Sequence, residues 1–164
     1  MRVPIAALVV SFLLVLGLIW MTGDTLPSRV ASHFNASGSP DGWMSRNTYL
    51  GWMSGIAIGV SAIFVSIFFG IRFLPASTIN FPRREYWLAP ERSAFTMAFI
   101  TRAGIWLACI NLWFLLGVHL FVLSANSSEP VHLPAAIWLL ASLFGLVTLL
   151  WSWFLIRRVT RGLE

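Results

Sequence analysis

Four long apolar runs, at about 4–21, 50–73, 103–123 and 134–156, constrain this chain more than any other feature, and no charged residue lies deep inside them. A helix needs roughly 20 apolar residues to cross a bilayer, and each run is about that long. Within hydrocarbon every peptide group must be bonded internally, which a helix achieves along its own length. Pro4, Pro27, Pro40, Pro75, Pro82, Pro90, Pro130 and Pro134 all fall at run ends or between runs. Proline inside a helix removes a hydrogen bond and clashes with the preceding turn, so its absence from the run centres predicts unbroken helices. Only 10% of residues are charged and 58% are hydrophobic. A soluble domain carries about 25% charged residues, so the polar supply falls short of a wetted surface. The expected fold is all-α, a four-helix transmembrane bundle forming one integral membrane domain over 1–164. Its helices are expected at about 4–21, 50–73, 90–123 (the membrane part from about 103) and 134–156, with loops at 22–49 and 74–102.

The first run resembles a signal peptide in having Arg2 ahead of it. It is longer than the roughly 7–15 residues of a signal core, and no A-x-A site follows Met21, so a retained helix is expected. Arginine placement predicts orientation. Arg2, Arg72, Arg83, Arg84, Arg92, Arg102, Arg157, Arg158 and Arg161 fall on one side, and only Arg29 and Arg46 on the other. The positive-inside rule then places both termini and loop 74–102 in the cytoplasm, in a cell inner (plasma) membrane, with loop 22–49 facing outward. Every basic residue is arginine, and most flank apolar runs instead of forming one stripe, which argues against nucleic acid as a partner despite a net charge of +5. The implied partner is the lipid bilayer, with a membrane or extracytoplasmic protein as a further candidate. Trp20, Trp43, Tyr49 and Trp52 are expected near the outer interface, and Trp106, Trp151 and Trp153 near the inner one.

The single cysteine, Cys109, allows no disulfide within the chain and reads as a packing residue. In the second run Gly51, Gly55, Gly59, Ala62, Ser66 and Gly70 form a small-residue stripe. Such stripes let helix backbones approach closely in lipid. Packing within the bundle is the expected use, and homo-oligomerisation through Gly51, Gly55 and Gly59 the alternative. Ala141, Gly145, Thr148 and Ser152 form a shorter version in the fourth run.

The outward loop contains HFNASGSPDGW, 33–43, in which Gly38, Pro40, Asp41 and Gly42 are strong turn formers. Residues 33–35 and 43–44 are expected to pair as a short hairpin docked on the bundle, because a lone hairpin is marginal in water. The longer stretch LPSRVASHFNASGSPDGWMSR, 26–46, resembles the signature of a bacterial membrane domain of unknown function, found alone or ahead of the SdpI immunity-protein domain. The resemblance extends over helix one, this loop and helix two, roughly the first half of the chain. Ala31 stands where that pattern has proline, and Arg46 where lysine is common. The resemblance implies an integral membrane protein with a link to toxin immunity or envelope signalling, and implies no reaction. In the second loop, Pro90 suits the first turn of a helix and Glu91 its positive end. Tyr86 and Trp87 are expected at the inner interface, with Arg83 and Arg84 near lipid phosphates.

Two groups of residues carry candidate chemistry. His33, Asn35, Gly38, Pro40, Asp41, Gly42 and Trp43 form a ligand-binding or structural motif in the outward loop. Of these, His33 and Asp41, with His132 in the other outward loop, are candidate metal ligands, although no pair has a recognised metal spacing. The alternative is that His33 and Asp41 bond backbone groups and hold the turn. Asn111 and His119 lie on broadly the same side of the third helix and form a candidate intramembrane polar site. No catalytic constellation or cofactor fingerprint is present, so no cofactor is expected. The leading expectation is a non-enzymatic envelope protein acting in immunity, sensing or accessory binding through its outward loop. The rival is a small transporter or a metal-dependent membrane enzyme using outward His and Asp residues. A binding protein is expected to tolerate His119→Leu, whereas the rival is not.

Overall fold

The computed structural model describes residues 1–161. The chain runs through α1 (Arg2–Gly23), a hairpin of β1 (Arg29–Phe34) and β2 (Pro40–Ser45), α2 (Arg46–Gly70), a short α3 (Arg84–Trp87), α4 (Pro90–Asn126) and α5 (Ala136–Arg161). All the long helices, α1, α2, α4 and α5, are long and apolar enough to cross a membrane. The protein is therefore a mostly helical, multi-pass membrane protein with a two-stranded hairpin between its first two spans. At 1.5 Å per residue, α4 is about 55 Å long, well beyond the roughly 30 Å of hydrocarbon. It starts with Pro90 in its first turn and Glu91 beside it.

The core lies among α1, α2 and α4. On α1 the buried residues Ser11, Val15, Ile19 and Gly23 recur every fourth position, which places them on one helix face. They meet Leu50, Met53 and Ala57 of α2 and Leu112, Leu116 and Val122 of α4. Side chains pointing the other way, such as Leu13, Ile58 and Ile63, are exposed, as expected where the solvent is lipid. Indole groups add bonds between helices. Trp113 Nε1 donates to Ser11 Oγ at 3.2 Å, and Trp20 Nε1 to Ser54 Oγ at 3.1 Å. The last helix packs differently. Its main neighbour is α4, through stacked Phe114 and Phe144 rings 4.1 Å apart, and no residue in its most apolar stretch is buried.

The small-residue stripe of α2 does not pack inside this bundle. The core-facing positions are Leu50, Met53, Ala57 and Ser61, and the stripe occupies the opposite face. A Cβ added at Gly51, Gly55 or Gly59 would meet nothing within 4 Å. The close helix approach falls instead on α4, where a Cβ at Gly104 would collide with the Phe68 ring of α2, and one at Gly117 would come 2.8 Å from Leu140 of α5.

Substituting Gly104→Ala should therefore cost about 1–3 kcal/mol of stability, the usual range for overpacking a tight contact. Gly55→Ala should leave stability unchanged or slightly raised. Unfolding of the purified protein in detergent measures both.

Candidate functional site

The hairpin is built by local chemistry and then fastened to the bundle. The strands are antiparallel, and pairings run from Arg29–Ser45 to Phe34–Pro40. The pairing extends further than residues 33–35 and 43–44 alone, and Asn35 lies in the loop instead of the strand. Two register breaks occur, between Ala31 and His33 and between His33 and Phe34, leaving Ser32 on β1 and Asp41 on β2 as the unpaired residues. The loop is held by Asn35, whose Oδ1 accepts from the Ser37 amide (3.0 Å), the Ser37 hydroxyl (2.7 Å) and the Ser39 amide (3.0 Å). Gly38 has φ +85°, a conformation that suits glycine. Any Cβ there would also press on the Leu133 carbonyl and the His132 ring. Gly42 faces His33, and a Cβ on it would approach the His33 Cβ to 2.8 Å. At the end of β2, Ser45 caps α2, its Oγ accepting from the Thr48 amide at 3.2 Å.

His33 and Asp41 meet at the hairpin surface, with His33 Nδ1 2.5 Å from Asp41 Oδ1 and both side chains substantially exposed. They bond each other; it is Asn35 that bonds the turn amides. The second nitrogen of His33 has no hydrogen-bond partner among the described residues. Trp43 is exposed, with the Arg29 guanidinium 5.6 Å from its ring centre, while Phe34 packs against the core. The His132 ring lies beside Gly38 of the hairpin loop. No group of three His, Cys, Asp or Glu side chains suited to hold a metal occurs among the described residues. Between the loop and the start of α5 lies a cleft of about 280 Å³, with Asn35, Ser37 and His132 towards its polar part and Ile137 and Trp138 on its apolar part.

Asn126, at the last position of α4, anchors the hairpin. Its Oδ1 accepts from the Ala31 amide at 2.8 Å, and its Nδ2 donates to the Ala31 carbonyl at 2.9 Å. The carboxamide thus acts as one rung of an additional strand along β1. Ala31 is fully buried, so both backbone groups would otherwise lack water as well as protein partners. Proline at this position would have no N–H to donate, so alanine at 31 and asparagine at 126 work as a pair. A further tie runs from the Leu133 amide to the Gly38 carbonyl (2.9 Å), and Arg46 Nη1 joins the start of α2 to the Asp24 carbonyl after α1 (3.0 Å).

Beneath the hairpin, His119 joins the three core helices. It is fully buried. Thr22 donates its hydroxyl proton to the Leu18 carbonyl at 2.5 Å, so its oxygen accepts from His119 Nε2–H at 2.9 Å. His119 Nδ1 then accepts from the Tyr49 hydroxyl at 3.0 Å. This ordering assigns the proton to Nε2 in a neutral ring. The Tyr49 and His119 rings lie 5.7 Å apart and 19° from parallel. Tyr49 is therefore packed in the core, whereas Trp20, Trp43 and Trp52 are exposed. Asn111 stands apart from this cluster, its Nδ2 donating to the Leu107 carbonyl one turn back at 3.0 Å. His33 and Asp41 are likewise separate from His119, being exposed on the hairpin while His119 is sealed in the bundle.

Sequence reasoning missed Thr22, Tyr49 and Asn126 as site-building residues. No local signal marks them, since their partners lie 70 to 97 positions away. Asn126 even resembles a glycosylation acceptor, in Asn126-Ser-Ser.

A spanning bundle that carries a rigidly fastened polar hairpin between its first two helices is the class that these features define. Residues 9–58 match the domain of unknown function DUF1648, a domain often linked with SdpI-family proteins. The match takes in most of α1, the whole hairpin and the first half of α2. No curated protein and no solved structure matches the chain.

Replacing Asn126 by Ala should cost about 1–3 kcal/mol, because two buried backbone groups lose their partner, and the Ala31 amide should exchange faster with solvent deuterium. His119→Leu should cost roughly 1–2 kcal/mol. Adding Tyr49→Phe to His119→Leu should cost less than Tyr49→Phe alone in the wild type, since the tyrosine hydroxyl has then already lost its acceptor.

Proposed function

We propose that this protein is a non-enzymatic membrane protein of the bacterial inner membrane, and that its hairpin is an outward-facing recognition element used in envelope sensing, accessory binding or immunity. One observation carries the reading. The hairpin backbone is locked to the bundle through Asn126 and Leu133, yet the His33–Asp41 pair and Trp43 stay exposed. A binding surface that is ordered before contact loses little entropy on binding. An exposed imidazole–carboxylate pair beside an aromatic ring suits a polar partner with some apolar surface, such as a peptide or another envelope protein. The arginine asymmetry supports the outward orientation. The domain's link with SdpI-family proteins supports a role in immunity. His119 has a sufficient role in packing, so loss of activity in His119→Leu would not by itself separate recognition from transport.

Two measurements test the proposal. Ser39→Cys in a Cys109→Ser background should react with a membrane-impermeant maleimide in intact cells; reaction only after lysis would refute the orientation. Cells lacking the protein should become more sensitive to some membrane-active peptides. The wild type should restore resistance, whereas the His33→Ala, Asp41→Ala, Trp43→Ala triple variant should fail to, while being made and folded normally. Full complementation by the triple variant, or no sensitivity to any peptide in the panel, would refute hairpin recognition in immunity.

A further inference from the structure

The opposite end of the bundle holds a different kind of cavity. Between the turns after α2 and the short α3 lies a space of about 650 Å³, with Ser77, Thr78, Asn80, Arg83, Arg84 and Tyr86 among its lining residues. Arg84 Nη1 donates to the Ser77 carbonyl at 3.0 Å, leaving most of its donors free. The Arg83 side chain has no hydrogen bond or ion pair among the described residues, and its backbone is left-handed at φ 50°. The Arg92 guanidinium lies 4.1 Å from the Tyr86 ring centre at the edge of this cavity. Glu85 is the acidic residue in the lining, and Glu91 is paired with Arg92 at 3.3 Å. At this end Arg2, Arg72, Arg83, Arg84, Arg92, Arg102, Arg157 and Arg158 stand against only these two glutamates among the described residues.

A second cavity of about 250 Å³ adjoins it and shares Ile79, Asn80 and Phe81. Its walls are apolar and come from three helices: Phe68 of α2, Phe99 and Ile100 of α4, and Leu155 and Ile156 of α5. The two together form a basic chamber opening onto a greasy groove. Val159, the buried residue of α5, also lines the groove, and its carbonyl accepts from Trp87 Nε1 at 2.8 Å.

We infer that this pair of cavities binds one anionic phospholipid, with its phosphodiester on Arg83 and Arg84 and an acyl chain in the groove between α2, α4 and α5. Guanidinium groups match phosphate oxygens with paired N–H donors. A free phosphate ion would leave the adjoining groove unused, and a choline headgroup would bring a second positive charge to a chamber that already has an excess of them.

The test uses the full chain purified in neutral detergent, with phosphatidylglycerol, phosphatidylcholine or inorganic phosphate added, read by native mass spectrometry and thermal unfolding. Phosphatidylglycerol should be retained as a one-lipid adduct about tenfold more than phosphatidylcholine, and should raise the unfolding temperature. The Arg83→Gln, Arg84→Gln pair should lose that preference. An Arg102→Gln, Arg158→Gln pair, which removes the same charge outside the chamber, should keep it. Ile156→Trp, which crowds the groove and leaves the arginines in place, should also weaken retention. Equal retention of the two lipids would overturn the inference. So would an undiminished preference in the Arg83, Arg84 variant, or an equal loss in the control pair. Stabilisation by inorganic phosphate equal to that by phosphatidylglycerol would assign the chamber to a free anion and would overturn it as well.

Discussion

A peptide group inside hydrocarbon has no water to bond, and that constraint organises this protein. The long helices meet it internally. The hairpin lies outside the spans and meets the same need only where protein covers it, because β1 has a partner strand on one edge only. Where its other edge lies against the helices, at the fully buried Ala31, the carboxamide of Asn126 supplies a donor and an acceptor together. A side chain at the end of one span thus completes a sheet made between two others. This contact ties the carboxyl end of α4 to the α1–α2 connection and fixes where the hairpin sits.

Polar residues within the spans follow the same logic. His119, Tyr49 and Thr22 form a directed series of hydrogen bonds ending on the Leu18 carbonyl, with both imidazole nitrogens satisfied. Buried polar groups that are fully bonded help specify one arrangement over others. Here they set the rotation of α1, α2 and α4 about their axes at the hairpin end. That end is held by bonds between helices, while the arginine-rich end contains the basic chamber and its adjoining groove.

The helix count, the start of α4 at Pro90 and the existence of a hairpin were legible because each follows from local rules: run length, proline position and turn chemistry. The reading of the glycine stripe on α2 failed for a physical reason. Small residues show that a face permits close approach, but not which neighbour approaches, and the core formed on the opposite face at Leu50, Met53 and Ala57. Tyr49, near a helix end, gives no local sign of its partner, because the histidine that accepts from its hydroxyl lies 70 positions away. Asn111 and His119 share a side of one helix, yet only His119 meets partners on the other helices.

Sequence alone determined that this chain lives in lipid, how many times it can cross, and where it must turn, because hydrophobic length and backbone stereochemistry act within a few residues. The pairing of Asn126 with Ala31, the enclosure of His119 by Thr22 and Tyr49, and the meeting of His33 with Asp41 apart from His132 were decided only in three dimensions. Those contacts depend on the rotation and depth of each helix against its neighbours. In a bilayer these are set by side-chain packing and polar satisfaction between distant segments, to which no local pattern is sensitive.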